Sequence, residues 1–169
     1  MTGATRDLLV RLLRPRHSLP SAAMVKPHFR AGVVAVVRRS DGEVMAFERS
    51  DAPGAWQLPQ GGIESGETPE QAVWRELWEE TGLTRHDVRL VEQAPHWTIY
   101  EWPEGMRTSE RIGQAHRWFF FEPIGDEIVP QPDGSEFTDW RWMRAADLIE
   151  CVVEFRRGPY AQALGAVGG

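Results

Sequence analysis

Glu76, Glu79 and Glu80 fall at i, i+3 and i+4, so on a helix their carboxylates project from neighbouring arcs of one surface. Two carboxylates about 4 Å apart repel by roughly 4 kcal/mol at an effective dielectric of 20. A chain that keeps such a patch must hydrate it, neutralise it with basic side chains, protonate part of it, or fill it with a cation. An all-oxygen donor set of this density suits Mg²⁺ or Mn²⁺, which retain water and leave room for phosphate oxygens. The plainer reading is a set of solvated acids, and for an isolated E-x-x-E-E it would prevail. The surroundings argue otherwise. Gly61, Gly62 and Gly66 supply flexible backbone just ahead of the acids, and Glu67 stands eight residues before Arg75. Helical geometry turns Arg75 away from most of the acids, so its guanidinium can reach back to Glu67 and pin the loop in a fork that Lys could not form.

The helix that must carry these groups is well marked. Thr68 can act as N-cap, Pro69 suits the first helical position, and Gln71 completes a capping box. Glu70 lies in the first turn, where the helix dipole favours an acid. Gly82 supplies the stop, which predicts a helix over 69–81. Ahead of it, Gly32-Val-Val-Ala-Val-Val37 is a β-branched run suited to a buried strand. Ser40-Asp41-Gly42 is a turn signal, and 43–49 returns as a second strand. Residues 50–55 read as a loop and 56–59 as a short extended segment. After the helix, 88–93, 97–102, 116–121 and 137–143 read as strands, with a polar loop over 103–113. A closing helix begins at 145–155 and is interrupted by Gly158-Pro159. This order argues for a mixed sheet packed between helices, an α/β (α+β) arrangement rather than a doubly wound parallel sheet.

Composition narrows the function classes. The 169 residues are 41% hydrophobic and 26% charged, the balance of a globular domain. No apolar run approaches the roughly 20 residues of a membrane span, which argues against a membrane protein. Twenty-five acids against nineteen Lys and Arg give a net charge of -6, ill suited to holding duplex DNA by bulk electrostatics. The single Cys151 excludes an internal disulfide and a multi-cysteine zinc site, and suits the cytoplasm. Cys151 shares a helical face with Leu148 and Phe155 and reads as a small hydrophobe. His17, His28, His86 and His96 show no metal-ligand spacing. Residues 1–28 are basic, with Arg6, Arg11, Arg14 and Arg16 breaking any signal-peptide core, and read as a disordered tail. Met24 is an alternative start, which a peptide from before it would exclude. Residues 29–160 form the expected domain, and 161–169 a flexible tail.

The pattern resembles a known family. Gly61, Glu67, Arg75-Glu76-Leu77, Glu79-Glu80, Gly82 and Leu83 fill all nine fixed positions, over 23 residues, of the Nudix box G-x5-E-x7-R-E-U-x-E-E-x-G-U, where U is aliphatic. The resemblance implies a Nudix fold, an α/β/α sandwich, and hydrolysis of a phosphoanhydride in a nucleoside diphosphate derivative. It implies Glu76, Glu79 and Glu80 as ligands of Mg²⁺ or Mn²⁺, with the Gly61 carbonyl as a further ligand. Glu67, Arg75 and Gly82 take structural roles in the box. Two or three ions would act with substrate, neutralising the phosphate chain and lowering the pKa of the attacking water.

A finer resemblance covers roughly 29–160. Trp56-Gln57-Leu58-Pro59-Gln60-Gly61-Gly62-Ile63, Ile112-Gly113-Gln114, Trp118-Phe119-Phe120, Glu136 through Trp142, and Val152 through Arg157 look like runs of bacterial RNA pyrophosphohydrolases and dinucleoside polyphosphate hydrolases. That likeness implies removal of pyrophosphate from a 5′-triphosphorylated RNA end, or cleavage of a dinucleoside polyphosphate. It adds Glu136 as a metal ligand or base, joining Glu79, Glu80 and Arg75 in the catalytic set. Arg30 matches a phosphate contact, and Arg49 and Phe155 match a pair that sandwiches a base. Gln60, Tyr100, Gln114 and Arg117 complete the substrate-binding set. Plainer readings stand beside these: a strand-end acid for Glu136, a solvated charge for Arg49, a core aromatic for Phe155, and packing on Trp97 and Trp102 for Tyr100.

The match departs from the family at Ala115-His116-Arg117, where many relatives carry lysines, in the 103–111 loop, and at Phe29-Arg30-Ala31-Gly32, which lacks the common R-P-N. The leading tail has no counterpart. These departures bear on substrate choice and leave the acids untouched. The rival readings are a Nudix hydrolase of nucleoside triphosphates or nucleotide sugars, and a weakly catalytic module that binds a nucleotide or RNA end. Protein partners are not legible.

Overall fold

The computed structural model describes residues 26–125 and 127–165. The sequence segments 1–25 and 166–169, assigned above to tails, lie outside the described residues. Among the described residues, eight strands and three α-helices follow in the order β1 (His28–Val37), β2 (Val44–Arg49), β3 (Trp56–Gln57), β4 (Gln60–Gly62), α1 (Pro69–Thr81), β5 (Val88–Gln93), β6 (Thr98–Glu101), β7 (Arg111–Pro123), β8 (Phe137–Met143), α2 (Ala145–Cys151) and α3 (Glu154–Gly165), with a single 3-10 turn at Glu104–Met106 between β6 and β7. One sheet runs β4-β1-β7-β5, with β6 also pairing with β7. Within it β1 and β7 are parallel, and β4, β5 and β6 are antiparallel to their neighbours. A second, antiparallel sheet runs β3-β2-β8.

The β-branched run of β1 is buried on both faces, as its composition demands. Val33, Ala35 and Val37 meet Ala72, Val73 and Leu77 of α1 on one face, with Phe119 and Phe121 beside them. Val34 and Val36 meet the other core cluster, which holds Trp118, Phe120 and the α2–α3 residues Leu148, Val152, Tyr160 and Leu164. A mixed sheet therefore lies between α1 and the α2–α3 pair, the layered arrangement expected from the sequence. Among the described residues no helix is long and apolar enough to cross a membrane.

Helix α1 begins and ends where its caps dictate. The Thr68 hydroxyl accepts from the Gln71 N–H at 3.2 Å, and the Gln71 side chain accepts from the Thr68 N–H at 2.8 Å. A cap of this kind stabilises a helix by about 1 kcal/mol. At the other end Gly82 adopts φ 71° and donates its N–H to the Trp78 carbonyl.

Three expectations are corrected. The strand expected over 116–121 runs from Arg111 to Pro123, because β1 pairs with it from His28↔Arg111 onward and β6 flanks it. The closing helix breaks at Val152-Val153, not at Gly158-Pro159, and Pro159 lies inside α3. Gly158 has no Cβ to meet the Pro159 ring, which lessens the usual penalty before proline. Finally, α3 continues to Gly165 with Ala163 and Leu164 buried, so helix occupies part of the stretch 161–169 that was expected to be a flexible tail.

Candidate active site

The acids of α1 face strand β4, and each is held differently. Glu80 is 8% exposed and accepts from the Gln60 N–H at 3.0 Å. Burial pushes its carboxyl up to about 9, and the neighbouring Glu76, Glu136 and Asp133 charges add to the shift. Glu76 is half-buried and is also raised, by burial first, with Arg75 pulling the other way. Glu79 remains open to solvent and accepts from Arg75 at 3.1 Å.

Arg75 binds Glu67 through a two-pronged fork of 2.7 and 2.8 Å, the loop anchor expected from the spacing. That contact holds the Glu67 carboxyl well below the usual carboxylate range. The expectation that Arg75 turns away from the acids is corrected. Its remaining N–H groups donate to Glu76 at 2.8 Å, to Glu79, and to the Gly62 carbonyl at 2.9 Å. A five-donor guanidinium can pin the loop and neutralise the patch together.

Gly61 and Gly62 were read as flexible backbone, and this too is corrected: both are paired strand residues of β4, opposite Val33 and Gly32 of β1. Their missing side chains make room instead. A Cβ on Gly61 would fall on the Glu76 carboxylate, and one on Gly62 would fall on the Arg30 guanidinium. The backbone of β4 thus runs between the α1 acids on one face and Arg30 on the other. Arg30 is close enough to temper the rise at Glu76.

A second group forms beside the first. The Gln57 side chain accepts from Arg49 at 3.0 Å and from Arg156, and donates to Glu136 at 3.1 Å. Asp51 grips Arg49 from the far side at 2.8 and 2.6 Å and raises its pKa. Asp133 accepts from the Glu136 and Phe137 N–H groups, fixing the turn that presents Glu136. Tyr100 is buried, donates its hydroxyl to Gln114, and lies 6.0 Å from the Phe155 ring and 5.5 Å from the His116 ring. The Tyr160 hydroxyl accepts from the Leu58 N–H at 3.0 Å and reaches Gln60 at 3.3 Å, tying α3 to the β3–β4 segment.

The structure gathers most of the sequence-derived residues into these two groups. Arg117 is the exception. It donates to the Pro95 carbonyl at 3.0 Å and lies 5.9 Å from the Trp97 ring. In the β7 alternation it faces opposite to Gln114 and His116, away from the face on which the others gather. Gln57, Asp51, Asp133, Arg156 and Tyr160 were not singled out from the sequence. The Trp56–Ile63 and Val152–Arg157 runs quoted for the resemblance contain two of them, Gln57 and Arg156.

Among the described residues no three His, Cys, Asp or Glu side chains converge tightly enough to hold an ion by themselves. The donor set nevertheless suits a hard cation. It is all oxygen, one carboxylate lies over a glycine left bare for it, and another is buried among neighbouring acids that push its pKa up. Glu76, Glu79 and Glu80 with the Gly61 carbonyl would hold it.

Comparison with known proteins agrees with this geometry. Residues 28–163 match the model of the NUDIX domain. An RNA pyrophosphohydrolase of Aliivibrio fischeri is 42% identical over 143 residues, covering 80% of this chain and 84% of that protein. One from Cereibacter sphaeroides is 37% identical over 143 residues, covering 80% and 88%. Among solved structures, the dihydroneopterin triphosphate pyrophosphohydrolase of E. coli shares the fold with a TM-score of 0.66 at 20% identity, covering 82% of this chain and 99% of its own. With its box complete, its layers in place and relatives aligned over most of its length, the chain belongs to the Nudix hydrolases, a family whose enzymes use divalent metal ions.

Proposed function

We propose that this Nudix hydrolase removes pyrophosphate from a 5′-triphosphorylated RNA end. The observation that carries the reading is the placement of Arg49, Arg156 and Phe155 beside Glu136, so that a base-holding group adjoins the acid patch. Guanidinium and aromatic faces are the usual means of holding an unpaired base. The named relatives at 37% and 42% identity act on the same class of substrate. A single cysteine in 169 residues suits a reducing, cytoplasmic setting.

Two or three Mg²⁺ or Mn²⁺ ions, held by Glu76, Glu79, Glu80 and the Gly61 carbonyl, would neutralise the phosphate chain and make water more acidic. The chain's own residues do the rest. Arg30, on the opposite face of β4, meets phosphate oxygens. Gln60 and Gln114 line the approach, and Tyr100 sets the Phe155 ring. Glu136, exposed at the head of β8, accepts the proton of the attacking water or joins the ion-binding set. Arg75 holds the loop and the acids in register. Water adds across one P–O–P link, forming one P–O bond as another breaks, and the products are 5′-monophosphorylated RNA and pyrophosphate.

The test is a competition with Mg²⁺ between triphosphorylated RNA and diadenosine polyphosphate at equal concentration, with Glu79→Ala as control. RNA is expected to be consumed first, and the variant to lose about 10²-fold or more in rate. Preferential cleavage of the dinucleotide would reassign the substrate. Inactivity of the wild-type protein on every pyrophosphate substrate would favour a binding module.

A further inference from the structure

Gln57 is 2% exposed, and both ends of its amide are engaged. Its Oε1 accepts from two guanidinium groups, Arg49 Nη1 at 3.0 Å and Arg156 Nη1. Its Nε2 donates to Glu136 Oε1 at 3.1 Å. These partners admit one orientation of the amide. Rotated by half a turn, it would set NH₂ against two cationic donors and a carbonyl against a carboxylate. Among the described residues, Glu136 receives a side-chain hydrogen bond from Gln57 alone.

Arg49 is also held on its other side. Asp51 takes Arg49 Nε and Nη2 in a fork, so the plane of that guanidinium is set in advance. The Arg156 guanidinium lies 5.7 Å from the Phe155 ring, and its Nε is buried without a partner. Backbone pairing places the two ends of the amide side by side. Gln57 pairs with Phe47 on β2, and Arg49, two residues on, pairs with Phe137 across a slip in the β2–β8 register. Glu136 is therefore presented beside the same strand end that carries Arg49.

We propose that Gln57 is a positioning residue that couples engagement of an RNA base by Arg49 and Phe155 to the placement of Glu136 at the scissile phosphate. The inference rests on the RNA reading above. A base engaged by Arg49 and Phe155 displaces the Arg156 guanidinium beside that ring, whose Nε has no partner, and the Gln57 amide carries that movement to the carboxylate. A nucleoside triphosphate offers one base where RNA offers several, so it exerts this effect less. Part of the preference for RNA is thus expressed in kcat rather than in KM.

Steady-state rates with Mg²⁺ on triphosphorylated RNA and on ATP, for wild type, Gln57→Glu and Gln57→Met, test the coupling. Glutamate keeps the shape and both arginine contacts but sets a second carboxylate against Glu136, and methionine removes every polar contact. Both are expected to lower kcat on RNA by about tenfold or more, the scale of a modest misplacement, and to lower kcat on ATP, whose attacking water also meets Glu136, by distinctly less. In a Glu136→Gln background, Gln57→Met should add little further loss, because the residue acts through that carboxylate. Equal losses on RNA and ATP, an effect confined to KM, or full additivity with Glu136→Gln would overturn the coupling. Wild-type protein that ignores RNA while cleaving other pyrophosphates would overturn the RNA reading itself, which separates the two failures. A thermal melt of each variant excludes misfolding as the source of a loss.

Discussion

Replacing Glu80 by glutamine will yield a protein that is more stable without metal and nearly inert as a hydrolase. Burial raises the Glu80 carboxyl to about 9 in the folded chain, against an ordinary value of 4.5 once unfolded. A group raised in this way contributes its full stability below 4.5 and loses it progressively as the pH climbs toward the folded value. At pH 7 the gap is on the order of 3 kcal/mol of destabilisation, growing further by pH 8. Glutamine cannot ionise, and its Oε1 can still accept from the Gln60 N–H that now bonds Glu80. In chelator-treated protein, the melting temperature of Glu80→Gln should therefore exceed that of wild type by a margin that widens from pH 5 to pH 8. A constant or shrinking margin would show that Glu80 is not held uncharged by its surroundings. Activity should fall by about 10²–10³-fold, as for other removals of a group that acts on developing charge. Added Mg²⁺ should then stabilise wild type and leave the variant's melt unmoved.

Gly61→Ala is expected to separate folding from activity in another way. The new Cβ would fall on the Glu76 carboxylate, the far end of a flexible side chain. That carboxylate can swing aside, so the fold should survive with a loss of about 1 kcal/mol, the scale of a mild steric change. In swinging, it abandons its 2.8 Å bond to Arg75 and its place over β4. Hydrolysis should drop by about 10²-fold, as expected when a group is misplaced by about 1 Å. A urea melt and a single-turnover rate on one preparation check both halves. An unaffected rate would mean that the Glu76–Gly61 contact has no part in the chemistry.

What was legible in the chain and what was not divides along a physical line. Local signals sufficed for α1: a cap, a proline and a terminal glycine set its ends without help from the rest of the fold, and the predicted span 69–81 is the observed Pro69–Thr81. The β-branched content of β1 likewise announced burial on both faces. Features that depend on distant partners did not show. The Arg111–His116 part of β7 is polar and glycine-containing, and it is strand because β1 and β6 pair with it. Gly61 and Gly62 carry a mobility signature in sequence, yet they stand in a strand paired with β1, and their lack of side chains leaves room for a carboxylate and a guanidinium on either side.

The acid patch itself was readable from i, i+3, i+4 spacing. Arg75 was half readable: its fork to Glu67 followed from the spacing, but its bonds to Glu76, Glu79 and Gly62 depend on how β4 docks against α1. The Gln57 group could not be read at all from spacing. Its members come from four separate segments, and only the β2–β3–β8 register and the docking of α3 bring them together.

The central claim is that the acids of α1 capture a divalent ion and, through it, a polyphosphate. Titration of the chelator-treated protein with Mn²⁺, followed by the loss of the free-ion paramagnetic resonance signal with and without a non-hydrolysable nucleoside triphosphate, tests it directly. The account predicts saturable uptake in wild type, tightened by the nucleotide, and its loss in Glu80→Gln. Wild-type protein that takes up no ion even with the nucleotide present would contradict it.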